Sequence, residues 1–286
     1  MSDAVLHTAR PTPLAALLNP ARMIGGLWMR RDLIAQFARR YFSQRYRGTH
    51  LGAVWAIVYP LLSLLIFTFV FGTVLSARYR VMGDEPRSHY AVLLFTSMTV
   101  FAVFVESVVR STSLVADNPS YVKKVVFPLE VLPVAQAAAS VMFGCIGIVL
   151  ALIATWIVYG RIPWTAALFP AVLLPMLPLA LGLAWFFSSL CVFVRDVANV
   201  VGIVISSLLI FLTPVFFSID HLPERWRPLA HLNPLAPIID GARKTLVLGE
   251  QPDWPALAVV LVVGLAVAQL GYAWFMKSKR GFADVL

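Results

Sequence analysis

The feature that most constrains this chain is a series of six long apolar windows that are almost free of charged residues. Each reaches the roughly 18 apolar residues that a helix needs to cross a bilayer. Only 13% of the residues are charged, against about 25% in soluble domains, so a soluble fold could not cover this apolar surface. We therefore expect an all-α polytopic membrane protein with six transmembrane helices. The windows are Ala53–Ser76, Tyr90–Val109, Val131–Gly160, Pro163–Val194, Val197–Ile219 and Pro255–Met276.

Two stretches are expected to depart from simple spanning helices. The fourth window contains Pro170, Pro175 and Pro178, which predict a broken or interfacial first part. The loop over 218–254 is too apolar for a free solvent loop and is punctuated by prolines. Short helices that dip back into the membrane fit this pattern, and they are tolerated only against protein or a water-filled cavity, as at a pathway exit. A small cap packed on the membrane surface is the alternative.

The distribution of Lys and Arg residues predicts the orientation. Most of these 23 residues lie before the first window, between the second and third, between the fourth and fifth, or after the sixth. Cytoplasmic segments carry such an excess, so both termini are predicted to be cytoplasmic. We expect a flexible cytoplasmic N-terminus over 1–21, a membrane domain over 22–276 and a cytoplasmic tail over 277–286. No cleavable signal peptide is expected, because residues 1–19 hold only a short apolar patch.

The segment over 22–50 is predicted to lie along the cytoplasmic membrane interface. Residues 22–47 have the pattern of one amphipathic helix. Its apolar side carries Leu27, Ile34, Ala38 and Tyr41, and its opposite side carries Arg39, Arg40 and Arg47. The alternative is that these arginines only fix the topology. The net charge of +9 is expected to face lipid headgroups and not nucleic acid, because the basic residues adjoin the windows.

No arrangement of residues in the sequence predicts catalysis. The five histidines show no ligand spacing, and Cys145 and Cys191 both lie in apolar windows. The stretch 241–245 lacks the glycine before lysine that a phosphate-binding loop requires. We therefore expect no catalytic residue, no metal and no cofactor on this chain. Glu106 has Arg110 four residues on, so an ion pair on one helix face is expected.

An aromatic ridge runs along the first window. It consists of Trp55, Tyr59, Phe67 and Phe71, which recur with Ser63 at steps of four residues. Aromatic rings stack on the apolar faces of sugars and let a polymer slide, so one interpretation is a substrate path. The other is packing against lipid or neighbouring helices, since aromatic residues are common in such spans.

Five stretches, in order along the chain, resemble polysaccharide exporter permeases of the type-2 ABC family. They are RYRGTHLGAVW over 45–55 with Pro60 after it, NPSYVKKVVFP over 118–128, RDV over 195–197, TPVFF over 213–217 and LNPL over 232–235. The resemblance covers roughly residues 30–280, and the ordered set of motifs is specific.

The resemblance implies a homodimer of permeases in the bacterial inner membrane. The two permeases would work with two copies of a separate ABC ATPase subunit, which would bind ATP and Mg²⁺. The substrate would be a lipid-linked polysaccharide, and the resemblance is strongest to exporters of O-antigen. The implied coupling loop would use Asn118, Pro119, Tyr121, Lys123, Lys124, Phe127 and Pro128, with Arg195 and Asp196 beside it. The implied outer gate would use Pro223, Trp226, Asn233 and Pro234. Lys123 and Lys124 suit an acidic groove on the ATPase, or they only set the topology.

Other functions remain open at this point. Capsule or teichoic-acid export would use the same architecture. Export of a small lipid or drug would too, although the loop Ala77–His89 is shorter than the outer domain expected of such a permease. A membrane-embedded enzyme acting on lipid-linked sugars would need catalytic carboxylates or histidines, which the sequence does not offer.

Overall fold

The computed structural model describes residues 18–45, 48, 52–70, 87–123, 127–217, 224–226 and 232–286. This part of the chain is helical and contains no β-strand, which confirms the predicted all-α fold. The helices are α1 (Pro20–Met29), α2 (Arg31–Gln44), α3 (Trp55–Phe69), α4 (Arg87–Thr112), α5 (Pro119–Lys123), α6 (Val131–Tyr159), α7 (Met176–Phe193), α8 (Val197–Leu212), α9 (Ala236–Arg243), α10 (Trp254–Ser278) and α11 (Phe282–Val285).

Within the described residues, four helical segments are long and apolar enough to cross a bilayer, and they fall on four of the six predicted windows. They are His89–Thr112, Val131–Tyr159, Trp164–Phe193 and Trp254–Val285. The first and fifth windows coincide with α3 and α8, which are apolar but shorter. Both windows run on into residues outside the described part of the chain, so the count of six spans stays a prediction.

The fourth window is broken where its prolines predict a break. Trp164–Leu168 forms a 3₁₀ helix, Phe169–Leu173 forms a short α-helix, and α7 begins only after Pro175. Proline removes a helical N–H and clashes with the preceding turn, so a helix tolerates it best at its start. Pro170 occupies such a position in the short helix.

The N-terminal amphipathic segment is two helices and not the single helix predicted over 22–47. α1 ends at Met29, Arg30 takes φ −107° and ψ 17°, and α2 begins at Arg31. The predicted apolar side still faces the protein, since Ala38 is buried and Leu27 packs against the buried cluster. The apolar periodicity runs through the break, so the pattern alone could not locate it.

Glycines let α7 and α10 pack backbone against backbone. A Cβ on Gly271 would lie 2.1 Å from the carbonyl oxygen of Gly182. A Cβ on Gly182 would lie 2.4 Å from the carbonyl oxygen of Val267. Small residues give this close approach, and in lipid the resulting van der Waals packing holds helices together. α7 and α10 therefore form a tight pair within the bundle.

α4 lies at the centre of the bundle, packed against α6, α7 and α9. Its buried hydroxyls are satisfied inside the helix, because Thr96, Ser97 and Ser107 each donate to the carbonyl four residues back. These intrahelical bonds let polar residues be accommodated in an apolar core. The candidate sites lie along α4 and near its two ends.

Candidate functional site

The predicted coupling loop is fixed to α2 at one end of the bundle. Tyr121 of α5 stacks on Phe127 with ring centroids 4.9 Å apart, and both rings contact Phe37 of α2. Arg40 of α2 donates a 2.9 Å hydrogen bond to the Tyr121 hydroxyl. The C-terminal helix α11 packs on α5 at the same end. A displacement of α5 would therefore disturb its contacts with α2.

The other residues predicted for the coupling loop are mostly on the surface. Asn118 closes the turn before α5 with a 2.8 Å hydrogen bond from its side chain to the Leu114 carbonyl. Phe193 contacts Phe282 of α11 with centroids 5.8 Å apart, which brings the turn after α7 to this end as well. Exposed positions are Pro119, Lys123, Arg195 and Asp196, while Pro128 is partly buried and Lys124 falls outside the described residues.

Glu130 is the residue at this end that sequence reasoning missed. Its side chain is 2% exposed, and its carboxylate forms ion pairs with Arg30 and with Lys279, whose Nζ lies 2.8 Å from Oε2. The Glu130 carbonyl accepts a 3.0 Å hydrogen bond from the Trp185 indole. The partners lie 100 and 149 positions away, so no local pattern could find them. The only sequence signal was an acidic residue at the edge of an apolar window.

A cavity of about 200 Å³ lies between α3, α4 and α6. Tyr59 and Phe67 of the predicted aromatic ridge line it, with Ser63 between them. Trp55 lies outside this lining, and Phe71 falls outside the described residues. Rings and hydroxyls around one space are the groups that contact the apolar faces and the hydroxyls of a sugar.

An ion pair that was not predicted lines the same cavity. Arg45 donates hydrogen bonds of 2.5 and 2.7 Å to the two carboxylate oxygens of Glu106, and its guanidinium lies 4.4 Å from the ring centroid of Phe143. The prediction that Glu106 pairs with Arg110 was wrong. Arg110 is exposed, and an exposed pair on one helix face gains less than a charge-assisted pair that is partly shielded from water.

Arg243 holds the non-helical turn 213–217 at the opposite end of α4. It is 4% exposed and donates to the carbonyl oxygens of Val215 and Phe217, and its Nε lies 2.6 Å from the Ser97 hydroxyl. Burial lowers the pKa of Arg243 to about 10, which leaves it charged at neutral pH. Carbonyls outside a helix need partners where water is excluded, and one side chain provides two of them.

Two more side chains contact this turn. The Tyr90 hydroxyl donates a 2.9 Å hydrogen bond to the Phe216 carbonyl. Asn233, a predicted gate residue, donates to the Leu212 carbonyl at 3.1 Å and to the Thr213 hydroxyl at 2.8 Å. Of the other predicted gate residues, Pro234 is partly buried, while Pro223 and the side chain of Trp226 fall outside the described part.

The charged groups at both ends serve as structural links between segments. Among the described residues, no three His, Cys, Asp or Glu side chains lie close enough together to hold a metal ion. Cys191 is buried and Cys145 is exposed, and both are free thiols. Glu130, Glu106 and Arg243 each contact groups from other helices, so these sites join elements of the bundle.

The chain is similar to membrane transport proteins over most of its length. The family model of the ABC-2 type transporter matches residues 32–247. An O-antigen export system permease protein RfbA of Klebsiella pneumoniae is 27% identical over 258 residues, which are 89% of this chain and 95% of that protein. The protein of the same name from Myxococcus xanthus is 25% identical over 267 residues, covering 92% of this chain and 98% of that protein. The region matched by the family model contains the cavity, Glu130 and Arg243, and it excludes Arg30 and Lys279.

Proposed function

Because the chain belongs to the ABC-2 type transporter family, we propose that it is the permease subunit of an ATP-driven exporter that moves lipid-linked O-antigen polysaccharide. The observation that carries this proposal is its similarity, over nearly the whole of both proteins, to two permeases named for O-antigen export. The cavity lined by Tyr59, Ser63 and Phe67 supports it, since its rings and hydroxyls suit a sugar polymer.

The proposed assembly is a homodimer in the bacterial inner membrane, with six spans and both termini cytoplasmic in each copy. Two separate ABC ATPase subunits bind ATP and Mg²⁺, and this chain is not itself an enzyme. The excess of Lys and Arg on the side of both termini supports this orientation.

In this mechanism the ATPase docks on the exposed surface around Lys123, Arg195 and Asp196. ATP binding closes the ATPase pair and moves α5, and the aromatic contact of Tyr121 with Phe37 passes that motion to α2. The two states of the channel differ in population according to the nucleotide bound, as in other transporters driven by domain closure. The turn 213–217, held by Arg243, is the outer element of this pathway.

Deletion of the gene tests this function directly. The measurements are a surface-polysaccharide gel and fractionation of lipid-linked intermediates, with the wild-type chain restored on a plasmid as the control. Loss of surface polymer with finished lipid-linked chains retained in the cell supports export. Normal surface polymer after deletion would contradict it and favour export of a small lipid or drug.

A further inference from the structure

Glu130 joins three segments that are far apart in the chain. Arg30 lies at the junction of α1 and α2, Lys279 lies at the end of α10, and Trp185 lies on α7. The carboxylate is 2% exposed, whereas Arg30 and Lys279 retain 41% and 28% side-chain exposure. The buried acid is therefore the centre of the cluster, and the two basic residues reach in to it from the surface.

Glu130 occupies the N-cap position of α6. It directly precedes α6, where Ser, Thr, Asp or Asn side chains commonly accept hydrogen bonds from the first N–H groups of the helix. The Glu130 side chain makes no such cap. Its two oxygens are instead divided between Arg30 and Lys279, one to each. A buried carboxylate without partners would be strongly unfavourable, and each of the two ion pairs offsets part of that cost.

The coupling loop and the start of α6, which follows it, are thus connected to the N-terminal helices at two separate points. The first is the contact of Phe37 and Arg40 with Tyr121, and the second is the ion pair of Arg30 with Glu130. Lys279 attaches the C-terminal tail to the second point. Two separated connections restrict the relative motion of these segments more than either connection alone.

From this arrangement we infer that Glu130 is a positioning residue for energy coupling. It holds α1, α2 and the C-terminal tail against the base of α6, so that these segments move together when α5 is displaced. The inference rests on the proposed function for its transport readout. Its structural part, one carboxylate that secures both terminal segments, is independent of the substrate.

Limited trypsin digestion of the solubilised permease–ATPase complex tests the structural part. At the trypsin sites that each variant retains, Arg30→Met should increase cleavage within α1 and α2 only, and Lys279→Met should increase cleavage in the tail only. Glu130→Gln should increase cleavage in the N-terminal helices and in the tail together, each by about tenfold. A change of this size corresponds to the interaction energies found for neighbouring charges. Glu250→Gln, which changes an exposed acid in the loop before α10, is the matched control.

The transport part compares surface polymer with ATP hydrolysis. Glu130→Gln should retain ATPase copurification and hydrolysis but export about tenfold less polymer for each ATP hydrolysed. Exchanging the charges of Glu130 and Lys279 tests the ion pair itself, because a side chain that only filled space would show no rescue. Glu130→Lys combined with Lys279→Glu should recover protection of the tail relative to Glu130→Lys alone, while α1 and α2 stay accessible because Arg30 then faces a lysine.

Three outcomes would overturn the inference. They are a Glu130→Gln cleavage pattern like that of Glu250→Gln, an unchanged ratio of export to hydrolysis, and the absence of rescue by charge exchange. If Glu130→Gln does not fold, the two single substitutions at Arg30 and Lys279 still decide whether one carboxylate holds both segments. Failure of the wild-type chain to restore export would count against the proposed function and would leave the digestion result standing.

Discussion

Arg45 Nη1 lies 2.5 and 2.7 Å from the two carboxylate oxygens of Glu106, although 61 positions separate the two residues. Both side chains are 21% exposed, and both line the cavity between α3, α4 and α6. This contact ties the segment that follows α2 to the middle helix of the bundle. Because Arg45 binds both carboxylate oxygens, Glu106 forms its ion pair with Arg45 and not with Arg110, the partner that helix periodicity favoured.

Glu106→Gln and Arg45→Gln should therefore each lower thermal stability, and Arg45→Gln should cost more because it also loses the contact with the Phe143 ring. The double substitution should cost less than the sum of the two. The coupling should be about 0.5 to 1 kcal/mol, because the pair is only partly shielded from water. Thermal unfolding of the purified permease in detergent measures it. Arg110→Gln is the control and should be close to wild type. Coupling between positions 106 and 110 instead would contradict the observed pairing.

The aromatic lining of the cavity gives a second prediction. Tyr59→Ala and Phe67→Ala should each reduce surface polymer about fivefold, the scale of one lost ring contact. Phe69 is 62% exposed and lies outside the lining, so Phe69→Ala is a control of the same size on the same helix. Surface polymer is normalised to folded permease in the membrane. A loss of stability with normal export per folded molecule would instead favour a packing role for the two rings.

The surface around α5 gives a third prediction. Lys123→Glu with Lys124→Glu should weaken copurification of the ATPase about tenfold or more, because like charges placed opposite an acidic groove repel it. The permease should stay folded, since Lys123 is exposed. Arg161→Glu reverses an exposed charge at the other end of α6 and should leave copurification unchanged. Equal copurification in all three proteins would exclude an electrostatic contribution of these lysines to docking.

Short-range patterns predicted the helices well, and long-range contacts explain what they missed. The apolar windows located α4, α6, α7 and α10, and the prolines located the break before α7, because both signals act within a few residues. Helix periodicity could not show that Arg30 pairs with Glu130, because the two residues are 100 positions apart. The tertiary contacts of Glu106 and Glu130 are fixed only once the helices pack.

The close pair of α7 and α10 gives a fourth prediction. Gly182→Ala or Gly271→Ala should cost about 2 to 3 kcal/mol or prevent accumulation in the membrane, because the added Cβ meets backbone that cannot move aside. Gly25 of α1 has open space around it, so Gly25→Ala should be neutral or slightly stabilising. Membrane yield and thermal unfolding measure both effects. Normal stability of the Gly271 variant would mean that the helices do not approach this closely.

The turn 213–217 gives the last prediction. Arg243→Met should destabilise the permease by about 3 kcal/mol, because the carbonyls of Val215 and Phe217 lose a charged donor in a buried site. Tyr90→Phe removes one neutral hydrogen bond and should cost about 1 kcal/mol. Lys244→Met is the neighbouring control, since it breaks only a partly exposed ion pair with Asp240. Thermal unfolding ranks the three variants, and equal effects of Arg243→Met and Lys244→Met would show that other contacts hold the turn.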